Sequence, residues 1–249
     1  MRVAVTGAAG RMGSFVTPHI AAQADLEVVG CLDPRHVGEV VGGVVVSDDP
    51  TALDTAEVVL EWAPATSVLD RLGDHAAAGR HVVVGASGFT PERLDLAGER
   101  WEGAVGRLLI VPNFAIGAVL MQRFAREAAR WFAASEVIEL HHDGKADAPS
   151  GTALATALGI AGTQQRAVES EEVVPGARGA DVGGVRVHSV RLPGLVAHQE
   201  VLLGNPGEVL TLRHDSMDRI SFVPGVLAAL RGVGGLPDAV TVGLDPLLR

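Results

Sequence analysis

Short apolar runs alternate with amphipathic stretches through the first part of the chain. Met1 to Thr6 reads as a β-branched strand, followed by the turn Gly7-Ala8-Ala9-Gly10-Arg11-Met12-Gly13 and an amphipathic segment to about Gln23. Glu27 to Leu32 is a second apolar strand and ends at Asp33. Glu57 to Trp62, His81 to Val84 and Leu108 to Val111 continue the series, with Ala- and Leu-rich helical stretches between them. Strands alternating with helices predict a parallel sheet with right-handed crossovers.

After Pro112 the pattern changes. A helical period runs from about Gly117 to Ala134, with Arg123, Arg126, Glu127 and Arg130 on a charged face. A strand follows at Val137 to His141, and a helix from Ser150 to about Ala161. Gln164 to Gly184 is polar and glycine-containing and reads as a long loop. Val185 to Leu192, Leu195 to Leu203 and Glu208 to His214 read as antiparallel strands, with turns at Pro193-Gly194 and Gly204-Asn205-Pro206-Gly207. Val223 to Arg231 is helical and Ala239 to Gly243 is a last strand. Two domains are expected, 1–115 with 217–249 and 116–216, the last helix and strand returning to the first.

Composition narrows the function. A chain of 249 residues buries a sizeable core, and 47% hydrophobic residues with 31 glycines suit a globular protein. The net charge of -10 argues against general nucleic-acid binding, which needs clustered Lys and Arg. No apolar run reaches the roughly 20 residues that span a bilayer. Met1-Arg2-Val3-Ala4-Val5-Thr6 runs directly into a glycine turn rather than a signal sequence, so a cytoplasmic location is expected. The single Cys31 rules out an internal disulfide and a cysteine-based metal cluster.

Gly7, Gly10 and Gly13 follow the spaced variant G-x-x-G-x-x-G of the dinucleotide fingerprint, between a strand and a helix. Glycines there permit a tight turn and close backbone approach, and the helix N-terminus faces a pyrophosphate. Arg11 adds a charge beside Met12, and Asp33 lies about 20 residues beyond the turn, where an acid binds a ribose hydroxyl. Asp33 would repel a 2′-phosphate and Arg35 would accept one; the balance leans to NADH with tolerance of NADPH. The other reading of this turn is a structural glycine loop in an unrelated α/β protein.

Glu139 to Thr152, Glu-Leu-His-His-Asp-Gly-Lys-Ala-Asp-Ala-Pro-Ser-Gly-Thr, gathers protonatable and cationic groups on an acidic background. On a strand His141 and His142 point to opposite faces, so they do different jobs. Lys145 can reach back to the same site across a glycine turn, and Ser150-Gly151-Thr152 opens a helix whose first amides suit a carboxylate. Ser150 is also a good N-cap in its own right. Diverging histidines beside Lys145 disfavour a metal; a catalytic acid next to an anion site fits better.

These segments together resemble the dihydrodipicolinate (4-hydroxy-tetrahydrodipicolinate) reductase family. The resemblance is carried by Val5 to Gly13, Val84 to Thr90, Pro112 to Gly117, Glu139 to Thr152 and Leu195 to Glu200, and the Glu139 to Thr152 string is the most specific. His198-Gln199-Glu200 and Pro175 to Gly179 look like the actinobacterial branch. The resemblance implies an N-terminal Rossmann-type dinucleotide-binding domain. It also implies an α+β substrate-binding and oligomerisation domain with a mixed or antiparallel sheet, building a homotetramer. It implies NAD(P)H-dependent reduction in lysine and diaminopimelate biosynthesis, with His141 as proton donor and Lys145 as substrate-binding and catalytic lysine. His142, Ser150, Gly151 and Thr152 match substrate-carboxylate contacts; Ala63, Gly85, Ser87, Pro112, Asn113 and Phe114 match segments around the nicotinamide. The departures lie in the cofactor half. Glu61-Trp62-Ala63-Pro64 replaces Asp-Phe-Thr or Asp-Phe-Ser before proline, Ala86 replaces a threonine, and Ala9 replaces a lysine common in the glycine loop. A reductase of a related cyclic imine and a catalytically silent ligand-binding homologue are the alternative readings.

Overall fold

The structure is a computed structural model that describes residues 1–86, 88–163, 168 and 170–248. It divides into two compact units, Met1–Phe114 with Phe222–Arg249, and Ala115–Ser221. The second exchange point falls later than residue 217. Ser221 Oγ bonds Ser216 Oγ at 2.7 Å and donates to the Asp218 carbonyl at 2.8 Å, tying that turn to the preceding strand.

The first unit contains β1 (Arg2–Thr6), α1 (Gly13–Ala21), β2 (Glu27–Leu32), β3 (Val40–Val41), β4 (Val44–Ser47), β5 (Val58–Glu61) and α2 (Ala65–Ala77). It continues with β6 (His81–Val84), α3 (Pro91–Arg100) and β7 (Leu108–Ile110). The sheet order is β3-β4-β2-β1-β5-β6-β7 with a later strand beyond β7, parallel except for the β3–β4 hairpin. Strands β5, β6 and β7 are buried at every position except the half-buried His81 that opens β6, as expected of a parallel sheet covered on both faces. The hairpin lies in a stretch to which the hydrophobic pattern assigns no element. Its signal is Gly42-Gly43, both at positive φ (59° and 85°), as the type I′ two-residue hairpin turn requires.

The second unit contains α4 (Ile116–Ala128), β8 (Ala134–His141), α5 (Gly151–Ile160), β9 (Ala180–Val182), β10 (Val185–Arg191), β11 (Ala197–Asn205) and β12 (Glu208–Ser216). The chain then re-enters the first unit with α6 (Val223–Gly232) and β13 (Val240–Val242), which pairs parallel to β7. Met121 and Ala125 of α4 and Ala153, Ala157 and Ile160 of α5 pack with Val137, Val187 and Val201 into one apolar core on one face of the sheet.

Three expectations for this unit need correction. The helix does not run to Ala134: it ends at Ala128, because the Ala133 amide is taken by Asn205 Oδ1 (2.9 Å) and Gly204 O (3.2 Å), drawing the chain into the sheet. Strand β10 is not part of an antiparallel meander. It runs parallel to β8, joined by the α5 crossover that parallel strands need, while β11 pairs antiparallel on the other side of β8. The Pro193-Gly194 segment therefore crosses the end of β8 rather than closing a hairpin. Finally, the expected loop over 164–184 ends in β9, an edge strand turned into β10 by Gly183-Gly184 at positive φ; residues 164–167 and 169 of that loop lie outside the described residues.

Candidate active site

In the first unit the strand order reverses at β1, with β2 on one side and β5 on the other. Ligands of open parallel sheets bind at such a switch point, beyond the carboxyl ends of the strands. The predicted cofactor residues stand there, each following a strand: Gly7, Gly10, Arg11 and Met12 in the loop after β1 with Gly13 opening α1, Asp33 and Arg35 after β2, Ala63 after β5, Gly85 after β6, and Pro112, Asn113 and Phe114 after β7. Ser87 lies outside the described residues. Gly7 has φ of 61°, and a Cβ at Gly13 would sit 2.2 Å from the Gly7 carbonyl, so turn and helix close up only without side chains.

A cleft of about 330 Å³ opens between the strand ends, lined by Gly7, Gly10, Asp33 and Arg35 on one side and Ala63, Ser67 and Arg71 on the other. Gly85 and Pro112 to Phe114 do not line it. Asp33 is buried. Its Oδ1 accepts the Arg35 amide at 3.2 Å, whereas its Oδ2 is buried without a hydrogen-bond partner. His36 Nδ1 comes within 3.2 Å of Oδ2 but off a hydrogen-bonding direction, so both atoms keep their capacity. An orphan acceptor in a cleft beside a glycine turn fits a ribose diol, and the site is therefore compatible with a nicotinamide dinucleotide.

In the second unit Glu139 and His141 share the helix-covered face of β8, two residues apart. Glu139 is fully buried. Arg191, opposite His141 in the ladder, grips Glu139 through both Nη atoms at 2.9 and 2.8 Å. The Ser150 amide donates to Glu139 at 3.2 Å, and His141 Nδ1 forms a short hydrogen bond to its other oxygen. Burial works against charge on Glu139, but hydrogen bonds from Arg191, Ser189 and His141 outweigh it and hold the carboxyl below its usual range. The His141 ring goes below its ordinary 6.5, first through burial; Glu139 opposes this shift, and Lys145 and Arg191 reinforce it.

Around this pair, Lys145 Nζ donates to Asp147 at 2.7 Å and the Lys145 carbonyl accepts from Arg191 Nε at 3.3 Å. Ser150 Oγ caps α5 by accepting from the Ala153 amide at 3.2 Å, which leaves its hydroxyl proton to donate elsewhere. Gly151 is exposed at the first helical position and Thr152 follows it. His142 is exposed, with its amide on the Val196 carbonyl at 3.4 Å. The predicted residues His141, Lys145, Ser150, Gly151 and Thr152 thus gather at one end of β8, whereas the side chain of His142 stands apart from the buried pair.

The whole chain matches one family. The description of the dihydrodipicolinate reductase N-terminus matches residues 1–114, and that of the C-terminus matches residues 117–248. The chain belongs to the dihydrodipicolinate reductase family. It is 46% identical over 259 residues to the 4-hydroxy-tetrahydrodipicolinate reductase of Corynebacterium diphtheriae, covering 100% of this chain and 98% of that protein. It is 49% identical over 257 residues to the enzyme of the same name from Nocardia farcinica, again covering 100% and 98%. The dipicolinate-bound dihydrodipicolinate reductase of Paenisporosarcina sp. TG-14 superposes with a TM-score of 0.88 at 36% identity, covering 100% of this chain and 99% of that one.

Within this reductase family the chain carries two groups that sequence reasoning missed. One is the Glu139–Arg191 pair behind His141. The spacing of Glu139 from His141 signals a shared face on a strand, but Arg191 arrives only through the β8–β10 register. The other is a cluster around Glu61, the last residue of β5, whose partners Arg71 and His75 both lie on α2. The Trp62 ring, where the chain departs from the family pattern, lies over Gly85, where a Cβ would be 2.2 Å from Cζ3, and 5.4 Å from the Phe114 ring.

Proposed function

We infer that this chain is an NAD(P)H-dependent 4-hydroxy-tetrahydrodipicolinate reductase, forming tetrahydrodipicolinate in lysine and diaminopimelate biosynthesis. The observation that carries the chemistry is His141, half-buried at the end of β8, with one ring nitrogen on the buried carboxylate of Glu139. Nδ1–H directed at Glu139 leaves Nε2 as the atom that holds and delivers a proton. A cyclic imine conjugated with its carboxylates gains electron density when reduced, and the imidazolium supplies the proton that quenches it. A bound reduced nicotinamide supplies the hydride.

The two carboxylates of such a substrate need cationic and amide donors. Lys145 exchanges Asp147 for one of them, and the hydroxyl of Ser150 with the first amides of α5 takes the other. His142, exposed beside them, adds a further contact. In the first unit, Gly7 to Gly13 hold the pyrophosphate with Arg11, and the orphan Oδ2 of Asp33 takes the ribose diol. This buried carboxylate favours NADH, while Arg35, its side chain 77% exposed, gives a 2′-phosphate a partner at the rim. Ala63, Gly85, Ser87 and the Pro112 to Phe114 turn stand for the nicotinamide end.

Turnover with enzymatically generated substrate tests the reading, with kcat/KM for NADH expected to exceed that for NADPH. His141→Ala should cut kcat far more than KM, and Lys145→Ala should damage both. Absence of wild-type turnover with either cofactor overturns the function. On this reading the enzyme works in the cytoplasm; among the described residues no helix is long and apolar enough to cross a membrane. It also works as a homotetramer built on the sheet of the second unit. Support comes from β12, a nine-residue edge strand whose Val209 is 70% exposed with Leu210 also open, an arrangement that invites a partner. Sedimentation should find a species of four 25.7 kDa chains, and a monomer would refute the assembly.

A further inference from the structure

Glu61 ends β5 next to Thr6 at the end of β1, and its carboxylate is fully buried beneath the nucleotide cleft. Four donors saturate it. Arg71 Nε donates to Oε1 at 3.1 Å and Arg71 Nη2 to Oε2 at 2.6 Å; His75 Nε2 is 2.9 Å from Oε1, and Thr6 Oγ1 makes a short bond to Oε2. Arg80 Nη1, 3.4 Å from His75 Nδ1, donates to that atom, so the ring proton sits on Nε2 and points at Glu61. A carboxylate with every lone pair engaged has nothing left for a ligand. Its effect is on Arg71.

The fork holds Arg71 in one orientation with its third nitrogen, Nη1, outside the pair. The side chain is 24% exposed, and it lines the cleft one helical turn beyond Ser67. The same cleft contains Asp33, the ribose-binding position, and Ala63, but neither Gly85 nor the Pro112 to Phe114 turn. With Ala63 alone from the nicotinamide end, it is mainly the adenosine side of the site. A guanidinium fixed at no further entropic cost makes a directional, charge-assisted donor there.

We propose that Arg71 is a further cofactor-binding residue whose Nη1 edge donates to the adenosine half of the dinucleotide, with Glu61 and His75 as the residues that position it. The proposal rests on the dinucleotide reading of this cleft. It deepens that reading by assigning the binding to a buried ion pair rather than to the glycine turn alone.

Titration of the full chain with NADH and with ADP-ribose, which carries the adenosine half without nicotinamide, tests it. Arg71→Met should weaken both ligands about tenfold, equivalent to about 1.4 kcal/mol. Glu61→Gln/Arg71→Met, which leaves no unpaired buried carboxylate, should show the same loss. Recovery of wild-type affinity in that double variant would make the effect structural and overturn the contact. Glu61→Gln alone should weaken ADP-ribose by a smaller factor as the grip on Arg71 loosens; unchanged affinity there overturns the positioning role. If the wild type binds neither ligand, the dinucleotide reading falls and this one with it. If the wild type binds both and Arg71→Met binds them equally well, only the assignment of Arg71 falls.

Discussion

At the scale of single residues, the decisive partnership is that of Glu139 with His141. A histidine on an exposed loop titrates near its ordinary 6.5, but burial carries His141 below that value while Glu139 pulls it back. If His141 acts as the acid, its working form exists only below its pKa. The rate should therefore fall as pH rises, with a midpoint lower than 6.5 in a kcat/KM profile, which reports the free enzyme. Glu139→Gln removes the group that raises the histidine, so this limb should move to still lower pH; a limb that stays put or moves up would refute the coupling. The same substitution breaks charged hydrogen bonds from Arg191 in a buried place, and should cost about 1–3 kcal/mol of stability in urea denaturation. The histidines and Lys145 were legible in the sequence because they cluster within one segment. Arg191 was not, because fifty-odd residues of chain separate it from Glu139 and only strand pairing closes that distance.

At the scale of elements, parallel strands and their following loops were legible because a strand buried on both faces is a short apolar run ended by a turn. What pattern could not tell was pairing. Strands β8, β10 and β11 have similar composition, yet β10 is parallel and β11 antiparallel to β8, since one connection passes through α5 and the other crosses a strand end. Helix α4 shows the same limit: its period continues past Ala128, but the edge of β11 competes for the chain and wins. The contact between the loops after β5 and β6 offers a test. Gly85→Ala would drive a methyl into the Trp62 ring and should cost about 1–3 kcal/mol. In a Trp62→Leu background that cost should largely vanish, measured as a double-mutant cycle; additive costs would mean that the two residues do not meet.

At the scale of the whole molecule, stability should follow pH in two steps. His81, His141 and His214 all lie below their ordinary 6.5, chiefly through burial. The unfolded chain therefore binds protons before the folded one, and stability should begin to fall as pH drops through 6.5. Glu61, Glu136 and Glu139 are each buried at some cost but held below their ordinary 4.5 by hydrogen-bonded cations. Their contribution is complete above 4.5 and is lost as pH falls below it toward their folded values. Urea midpoints measured from pH 8 to pH 3 should show both declines, and a stability maximum below pH 5 would contradict the sign of both. By itself, the sequence determined the strand–helix alternation, the glycine turn with Asp33, and the His141 to Thr152 segment, because each depends on neighbours in the chain. Tertiary structure alone decided which buried carboxylates stand behind that chemistry. Glu61 meets Arg71 and His75 across a strand and a helix, and Glu139 meets Arg191 across a ladder. A buried charge is tolerated only where folding delivers its partner, and that delivery depends on register and crossover rather than on spacing along the chain.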